Sequence, residues 1–74
     1  MTFADKIKVS RELCNLTQQQ LADKVGVSKR TIASYESSGA IARSSTMRKL
    51  AMALDVSYDY LFNDDVTDPK QGIE

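Results

Sequence analysis

The sequence predicts an all-α domain of five short helices. Apolar residues recur at intervals of three or four through most of the chain, which is the spacing that places them on one face of a helix. Serine or threonine precedes several of these segments, at the position where a helix N-cap is favoured. No segment alternates apolar and polar residues as a half-buried strand does.

The first helix is predicted from about Phe3 to Cys14. Thr2 is its expected N-cap, and Asp5 follows three residues later, where an acidic residue supports a helix start. Asn15 accepts the left-handed backbone conformation that commonly ends a helix. The predicted apolar face consists of Phe3, Ile7 and Cys14, with Leu13 close beside it.

The next two helices are predicted to form a helix-turn-helix unit. In TQQQLADKV, Thr17 and Gln20 have the spacing of a capping box, and Gly26 ends the helix. Ser28 is expected to cap a third helix that reaches Glu36. Only a tight turn fits between Gly26 and Ser28, so the two helices are closely joined. Their apolar residues are Leu21, Ala22, Val25, Ile32, Ala33 and Tyr35.

Two more helices are predicted after a loop over residues 37–45. The fourth lies in TMRKLAMALD, beginning near Thr46, and Ser57 is expected to cap a last short helix, YDYLF. We therefore expect a folded domain over residues 1–63 and an acidic, flexible segment over residues 64–74. The apolar face of the fourth helix consists of Met47, Leu50, Ala51 and Leu54.

Composition argues against several classes of protein. No apolar run approaches the roughly 20 residues of a membrane-spanning helix, and the N-terminus lacks the apolar region of a signal peptide. The chain has one cysteine, Cys14, and no histidine, which excludes an internal disulfide, a thiol–histidine catalytic pair and the usual zinc sites. We expect a cytoplasmic protein that is not an enzyme, needs no metal or cofactor, and has no evident small-molecule ligand.

The net charge of zero conceals two oppositely charged regions. Residues 1–54 contain nine Lys and Arg against four Asp and Glu, a net charge of +5, whereas residues 55–74 carry −5. This asymmetry suggests an anionic partner for the basic region. Lys29 and Arg30 lie side by side at the predicted start of the third helix, next to the positive end of its dipole, where anions are favoured and cations are not.

The segment LTQQQLADKVGVSKRTIASYE, followed by a loop and MRKLAMALDVSYDYLF, resembles the Cro/C1-type (XRE-like) helix-turn-helix family of phage and bacterial transcriptional regulators. The resemblance covers roughly residues 5–62. It implies a five-helix, lambda-repressor-like fold whose helices 2 and 3 form the helix-turn-helix. It also implies a transcriptional regulator, of the repressor type, that binds double-stranded DNA with its third helix in the major groove. A homodimer is the expected assembly, because one such domain reads about half of an operator.

The resemblance further implies which residues contact DNA. Lys29, Arg30 and Ser34 occupy base-reading positions, and an arginine such as Arg30 can donate two hydrogen bonds to guanine O6 and N7. Arg11 and Glu36 are expected to form a structural pair between the first and third helices. The other expected contacts are to the DNA backbone or in support of base reading. The full set of expected DNA contacts is Gln18, Ser28, Lys29, Arg30, Thr31, Ser34, Arg43 and Thr46.

Two regions leave alternatives open. The loop lacks the proline that many members of the family carry before the fourth helix, and it contains Ile41, which we expect to fill the edge of the core rather than meet a partner. Met52 departs from the apolar face of the fourth helix. Some residues of the following cluster must cover the core, and the remainder are candidates for a dimer contact. These residues are Met52, Tyr58, Tyr60, Leu61 and Phe62.

Other functions compete with DNA binding. Lys29 and Arg30 taken alone fit an ordinary solvated surface, and only the surrounding motif favours contact with DNA. The alternative function is a protein-interaction module of the same fold, an antirepressor or adaptor without DNA binding, because a fold does not determine a function. Such a module is free to carry acidic or apolar residues at the start of its third helix, whereas this chain carries two cations there. The acidic cluster near the C-terminus lacks the spacing of a calcium-binding loop.

Overall fold

Five α-helices make up the part of the chain that the computed structural model describes, residues 2–63. The helices are α1 (Phe3–Leu13), α2 (Gln18–Val25), α3 (Lys29–Ser37), α4 (Ser44–Leu54) and α5 (Tyr58–Phe62). Helices α2 and α3 pack against each other, α1 packs against α3 and α5, and α4 packs against α2 and α5. No strand occurs between residues 2 and 63, and the acidic segment predicted over residues 64–74 lies outside the described residues.

Side-chain caps set the start of four of these helices. In each, a Ser or Thr hydroxyl accepts a hydrogen bond from a backbone N–H of the first turn, which stabilises a helix by about 1 kcal/mol. Two of the caps are complete capping boxes, in which the side chain of the third helical residue accepts a hydrogen bond from the cap residue's backbone in return. All four were predicted from the sequence. The cap residues are Thr2, Thr17, Ser28 and Ser57.

Left-handed residues end or follow three of the helices. Gly26 follows α2 with a φ of 81°, a conformation that glycine adopts without steric cost. Asn15 and Asp55 each have a φ of 57°, which asparagine and aspartate tolerate better than other non-glycine residues. The predicted roles of Asn15 and Gly26 are therefore confirmed.

Fourteen apolar side chains form one continuous core between the five helices. The predicted apolar face of α4 is buried in full, and so are the predicted apolar residues of α2. The aromatic cluster of α5 divides as expected, because Tyr60 and Leu61 are buried whereas Phe62 is exposed. The core consists of Phe3, Ile7, Leu21, Ala22, Val25, Ile32, Tyr35, Ala42, Met47, Leu50, Ala51, Leu54, Tyr60 and Leu61.

Two predictions about apolar side chains were wrong. Leu13 is 78% exposed at the last residue of α1, beyond the buried residues of that helix, which end at Ser10. Cys14 is exposed because the helix has already ended, and only its sulfur reaches the Leu54 carbonyl, at 3.5 Å. Ala33, an apolar residue of α3, lies outside the core, on the side of the helix away from Ile32 and Tyr35.

The loop before α4 also differs from the prediction. Helix α4 begins at Ser44, two residues earlier than expected, with Arg43 as an N-cap whose side chain makes no capping hydrogen bond. Ile41 is 67% exposed, and the neighbouring Ala42 is buried in its place. Consecutive side chains of an irregular segment point to different sides, so a shift of one residue exchanges which of them reaches the core.

The buried side chain of Lys6 fastens α5 to α1. Its ammonium group donates hydrogen bonds to the backbone carbonyls of Tyr60, at 2.6 Å, and Asn63, at 3.0 Å. It also lies 4.7 Å from the centre of the Tyr60 ring, a cation–π distance. Carbonyls at the end of a helix have no partner within the helix. Lys6 therefore serves as a cap for α5 that comes from the other end of the chain.

No helix within residues 2–63 has the length and apolar content needed to cross a membrane.

We predict that Lys6→Met destabilises the domain by about 2 kcal/mol, because the methionine fills the space but leaves the two carbonyls without their donor. Lys8→Met is the matched control, since Lys8 is exposed on the same helix, and it is expected to change the free energy of unfolding by less than about 0.5 kcal/mol. Urea unfolding followed by circular dichroism measures both. Equal stabilities of the two variants contradict this role for Lys6.

Candidate nucleic-acid interface

The start of α3 presents two exposed cations. The hydroxyl of Ser28 caps the helix by accepting a hydrogen bond from the Thr31 backbone N–H, at 3.1 Å, and lies 2.9 Å from the Thr31 hydroxyl. Lys29 and Arg30, the first two helical residues, are exposed. Within residues 2–63, neither of them forms an ion pair or a hydrogen bond through its side chain. The basic charge predicted for this position is therefore not neutralised by any side chain of residues 2–63.

Burial of one side of α3 leaves a definite outward face. Ile32 and Tyr35 enter the core, and a step of 100° per residue puts the outward face opposite them. That face begins with the long side chain of Arg30 and continues with small ones. The small residues are Ala33, Ser34 and Ser37.

The two serines at the end of α3 bond back onto their own helix. The Ser37 hydroxyl donates to the Ala33 carbonyl at 2.7 Å, and the Ser38 hydroxyl donates to the Ser34 carbonyl at 2.9 Å. These bonds hold the hydroxyl groups close to the helix backbone. The second half of the outward face is therefore low and smooth compared with the first.

A carboxylate joins α3 to α1 and α2. Glu36 accepts hydrogen bonds from Arg11 Nε at 2.7 Å and Arg11 Nη2 at 3.1 Å, and also from Gln18 Nε2 at 3.2 Å. A further nitrogen of Arg11 donates to the Leu16 carbonyl at 2.8 Å, which ties in the turn before α2. The side chains of Arg11 and Glu36 are only 13% and 5% exposed. The predicted structural pair is present, with Gln18 as a third member.

The hydrogen bond from Arg11 to Glu36 and the charge of that carboxylate raise the pKa of Arg11 above its ordinary value, and partial burial opposes the rise. A raised pKa keeps the guanidinium charged throughout the neutral range. Its contribution to stability is fully present below the ordinary arginine pKa and is lost only when strongly alkaline pH passes the raised value. The pair therefore does not act as a switch at neutral pH.

Gln18 has one amide N–H committed to Glu36, so its orientation is set from inside the protein. It stands in the first turn of α2, where backbone N–H groups have no partner within the helix. No sequence motif indicated this bond, because 18 residues separate the two side chains.

The start of α4 is a second exposed basic position. Arg43 is exposed, and the first turn of α4 holds no acidic residue and no side-chain cap. Thr46 is half-buried in that turn. No hydrogen bond or ion pair links Arg43 or Thr46 to α3. The structure thus gathers five of the eight predicted contacts on α3 and its N-cap, connects Gln18 to α3 through Glu36, and leaves Arg43 and Thr46 at the start of a separate helix.

No group of three or more His, Cys, Asp and Glu side chains among the described residues is arranged to hold a metal ion.

We predict that Glu36→Gln lowers the free energy of unfolding by about 3 kcal/mol, because it leaves a poorly solvated guanidinium without its counter-charge. Glu12→Gln, on the exposed side of α1, is the control and is expected to be near neutral. The double variant Arg11→Met, Glu36→Leu removes both charges and is expected to recover part of the loss. Urea denaturation tests all three, and a neutral Glu36→Gln contradicts the prediction.

Two curated proteins are similar to the chain. It is 32% identical over 73 residues to the cryptic phage CTXphi transcriptional repressor RstR of Vibrio cholerae, a match over 99% of this chain and 65% of that protein. It is 36% identical over 59 residues to the uncharacterized HTH-type transcriptional regulator YqaE of Bacillus subtilis, over 80% of this chain and 51% of that protein. The chain therefore spans about half to two thirds of the length of these relatives.

Solved structures share the fold. The NMR structure of the DNA-binding domain of the P22 c2 repressor has a TM-score of 0.81 and 28% identity, and covers 90% of this chain and 88% of that one. The crystal structure of the P22 c2 repressor with synthetic operator 9T has a TM-score of 0.79 and 30% identity, over 82% and 92%. A chain of the SinR protein/SinI protein complex has a TM-score of 0.79 and 26% identity, over 86% and 63%.

These likenesses confirm the five-helix, lambda-repressor-like fold that the sequence predicted. The family model described as Helix-turn-helix matches residues 4–61, most of the chain. The chain therefore belongs to this helix-turn-helix family.

Proposed function

We propose that the chain is a transcriptional regulator, of the repressor type, that binds a specific double-stranded DNA sequence through the major groove with α3. The exposed cations Lys29 and Arg30 at the capped start of α3, which pair with no side chain of residues 2–63, carry this proposal. One similar protein is named as a transcriptional repressor, and a similar structure was solved with its synthetic operator, which supports the same function here. Such a protein acts in the cytoplasm, where bacterial and phage DNA is transcribed.

Base reading falls to the outward face of α3. The major groove admits one α-helix, and residues near its start lie closest to the base edges. Arg30 lies on the outward face and donates to guanine O6 and N7. Lys29 lies beside it and binds either a guanine or a phosphate, and Ser34 follows Arg30 by one turn. Each well-made pair of hydrogen bonds to a base is worth about 1–3 kcal/mol of discrimination.

Phosphate contacts surround this face. Ser28 and Thr31 lie at the start of α3, where they meet the DNA backbone beside the groove. Gln18 lies in the first turn of α2, beside backbone N–H groups that can bind a phosphate, and its side chain is held in place by Glu36. The remaining expected phosphate contacts, from the uncapped start of α4, are Arg43 and Thr46.

The alternative function, a protein-interaction module without DNA binding, fits the charges less well. Two adjacent cations at the positive end of a helix dipole raise the free energy of the unbound domain, and an anionic partner removes that penalty. No acidic side chain within residues 2–63 pairs with them. DNA supplies anionic phosphates together with guanine acceptors, so it satisfies both cations at once.

A homodimer completes the proposal, because one domain covers about half of an operator. The residues available for a dimer contact are the exposed Met52 and Phe62 and the half-buried Tyr58, whereas Tyr60 and Leu61 belong to the core. Tyr58 stacks on Phe62 with ring centres 5.6 Å apart, and the guanidinium of Arg48 lies 5.4 Å from the Tyr58 ring. This stack gives the apolar surface a defined shape.

Selection of binding sites from random double-stranded DNA tests the proposal directly. We expect a two-fold symmetric site whose half-sites are about 34 Å apart, one helical turn. With that site, Arg30→Ala is expected to weaken binding by about ten-fold or more and to relax the preference at one G·C pair. Lys8→Ala, a charge change on the exposed side of α1, is the control. Selection that yields no consensus, or full affinity of Arg30→Ala, contradicts the proposal.

The salt dependence of binding separates phosphate contacts from base contacts. Each phosphate contact releases counterions, so the logarithm of affinity falls linearly with the logarithm of salt concentration. We predict that Arg43→Ala weakens binding to all sequences alike and reduces the slope by about one. Fluorescence anisotropy titrations at several salt concentrations measure the slope. An unchanged slope places Arg43 away from the DNA.

A further inference from the structure

The methyl group of Ala33 lies outside the core, on a helix of the proposed interface. Among the described residues, three alanines are buried in the core and two more pack against its edge. Ala4 and Ala33 do neither, and of these two only Ala33 lies on α3. It is half-buried on the outward face, three residues after Arg30 and next to Ser34. The five alanines that serve the core are Ala22, Ala40, Ala42, Ala51 and Ala53.

The neighbours of Ala33 leave its methyl group as the nearest apolar surface for anything that approaches this side of α3. The Ser37 hydroxyl is held on the Ala33 carbonyl, and the Ser38 hydroxyl on the Ser34 carbonyl. No long side chain follows Arg30 on the outward face. A partner that Arg30 touches at the full length of its side chain must therefore come much nearer to the helix at Ala33.

We propose that Ala33 is a specificity-determining residue, whose methyl group contacts the C5-methyl group of a thymine next to the guanine read by Arg30. This inference rests on the proposed binding of α3 in the major groove. It adds a residue and a base to that function: the half-site contains a thymine whose methyl group, rather than a hydrogen bond, is recognised.

The chemistry of the groove selects thymine. A short apolar side chain makes no hydrogen bond to a base edge, and the C5-methyl group of thymine is the apolar group that the bases present in the major groove. Cytosine presents an amino donor instead, which Ala33 leaves without a partner. The distance also fits, because three residues of helix advance by about 4.5 Å and base pairs are about 3.4 Å apart. The thymine is thus one or two base pairs from the guanine.

Thr31 is the rival source of a methyl contact on α3. Its hydroxyl lies 2.9 Å from that of Ser28, and its position on the helix is about 160° from Ala33, toward the flank. Thr31→Ser removes its methyl group and keeps the hydroxyl. That substitution therefore distinguishes a methyl contact by Thr31 from one by Ala33, through the ratio of thymine to uracil affinity within each variant.

The test replaces each thymine of the selected half-site, one at a time, by uracil, which lacks only the C5-methyl group. We expect the unmodified protein to lose about four-fold in affinity at one thymine, the loss that follows from one unburied methyl group. That thymine lies within two base pairs of the G·C pair at which Arg30→Ala relaxes preference. In Ala33→Gly, thymine and uracil bind equally at this position, whereas Thr31→Ser retains the four-fold difference.

Each outcome has one meaning. Equal binding of thymine and uracil at every position by the unmodified protein overturns the role of Ala33 while leaving specific DNA binding intact. A uracil effect that persists in Ala33→Gly also overturns it, and its disappearance in Thr31→Ser would assign the methyl contact to Thr31 instead. Failure to bind any duplex instead removes the proposed function itself. The thymine and uracil affinities are compared within one variant, so a change in the stability of Ala33→Gly cancels.

Discussion

The rest of the interface depends on the hydrogen bonds that the carboxylate of Glu36 accepts. It stands near the end of α3 and accepts hydrogen bonds from α1, through Arg11, and from α2, through Gln18. Apolar packing alone permits helices to slide and rotate by small amounts, because dispersion contacts have little directional preference. Three hydrogen bonds to one carboxylate are directional. They fix the rotation of α3 about its axis, and hence which of its side chains face outward.

A second constraint is the buried ammonium group of Lys6, which fixes α5 as Glu36 fixes α3. Both use a charged side chain to satisfy groups that apolar packing leaves without partners: two carbonyls at the end of α5, and a guanidinium between α1 and α3. Such arrangements define geometry more than they add stability, because desolvation offsets much of the gain. A core of 14 apolar side chains supplies the stability, and the two polar anchors set the angles.

Local chemistry explains why much of the fold was predictable. The N-caps at Thr2, Thr17, Ser28 and Ser57 and the left-handed ends at Asn15 and Gly26 depend on residues within a few positions of each other. The exposure of Lys29 and Arg30 follows from helical geometry, because the step of 100° per residue places Arg30 opposite the buried Ile32 and Tyr35 and Lys29 on the flank.

What the sequence did not predict depends on distant contacts. Lys6 lies 54 residues from its acceptor Tyr60, and nothing near it in the sequence indicates burial. Ala42 is buried where Ile41 was expected to fill the edge of the core, and α4 begins two residues earlier than expected. The Gln18 bond to Glu36 has the same origin, whereas the Arg11 partner was anticipated only through the family resemblance. Helical spacing places Ala33 on the outward face of α3, but the fact that no other helix of residues 2–63 packs against this face is visible only in the folded structure.

The two cations at the start of α3 create a conflict within the free domain. Their positive charge opposes the dipole of the helix that carries them, so acidic residues at positions 29 and 30 make the isolated fold more stable. The same exchange removes its attraction for polyanions. Evolution toward heat resistance and evolution toward tighter operator affinity therefore pull in opposite directions at this one turn of helix. A variant with glutamates at positions 29 and 30 is therefore expected to have a more stable fold and a lower affinity for DNA.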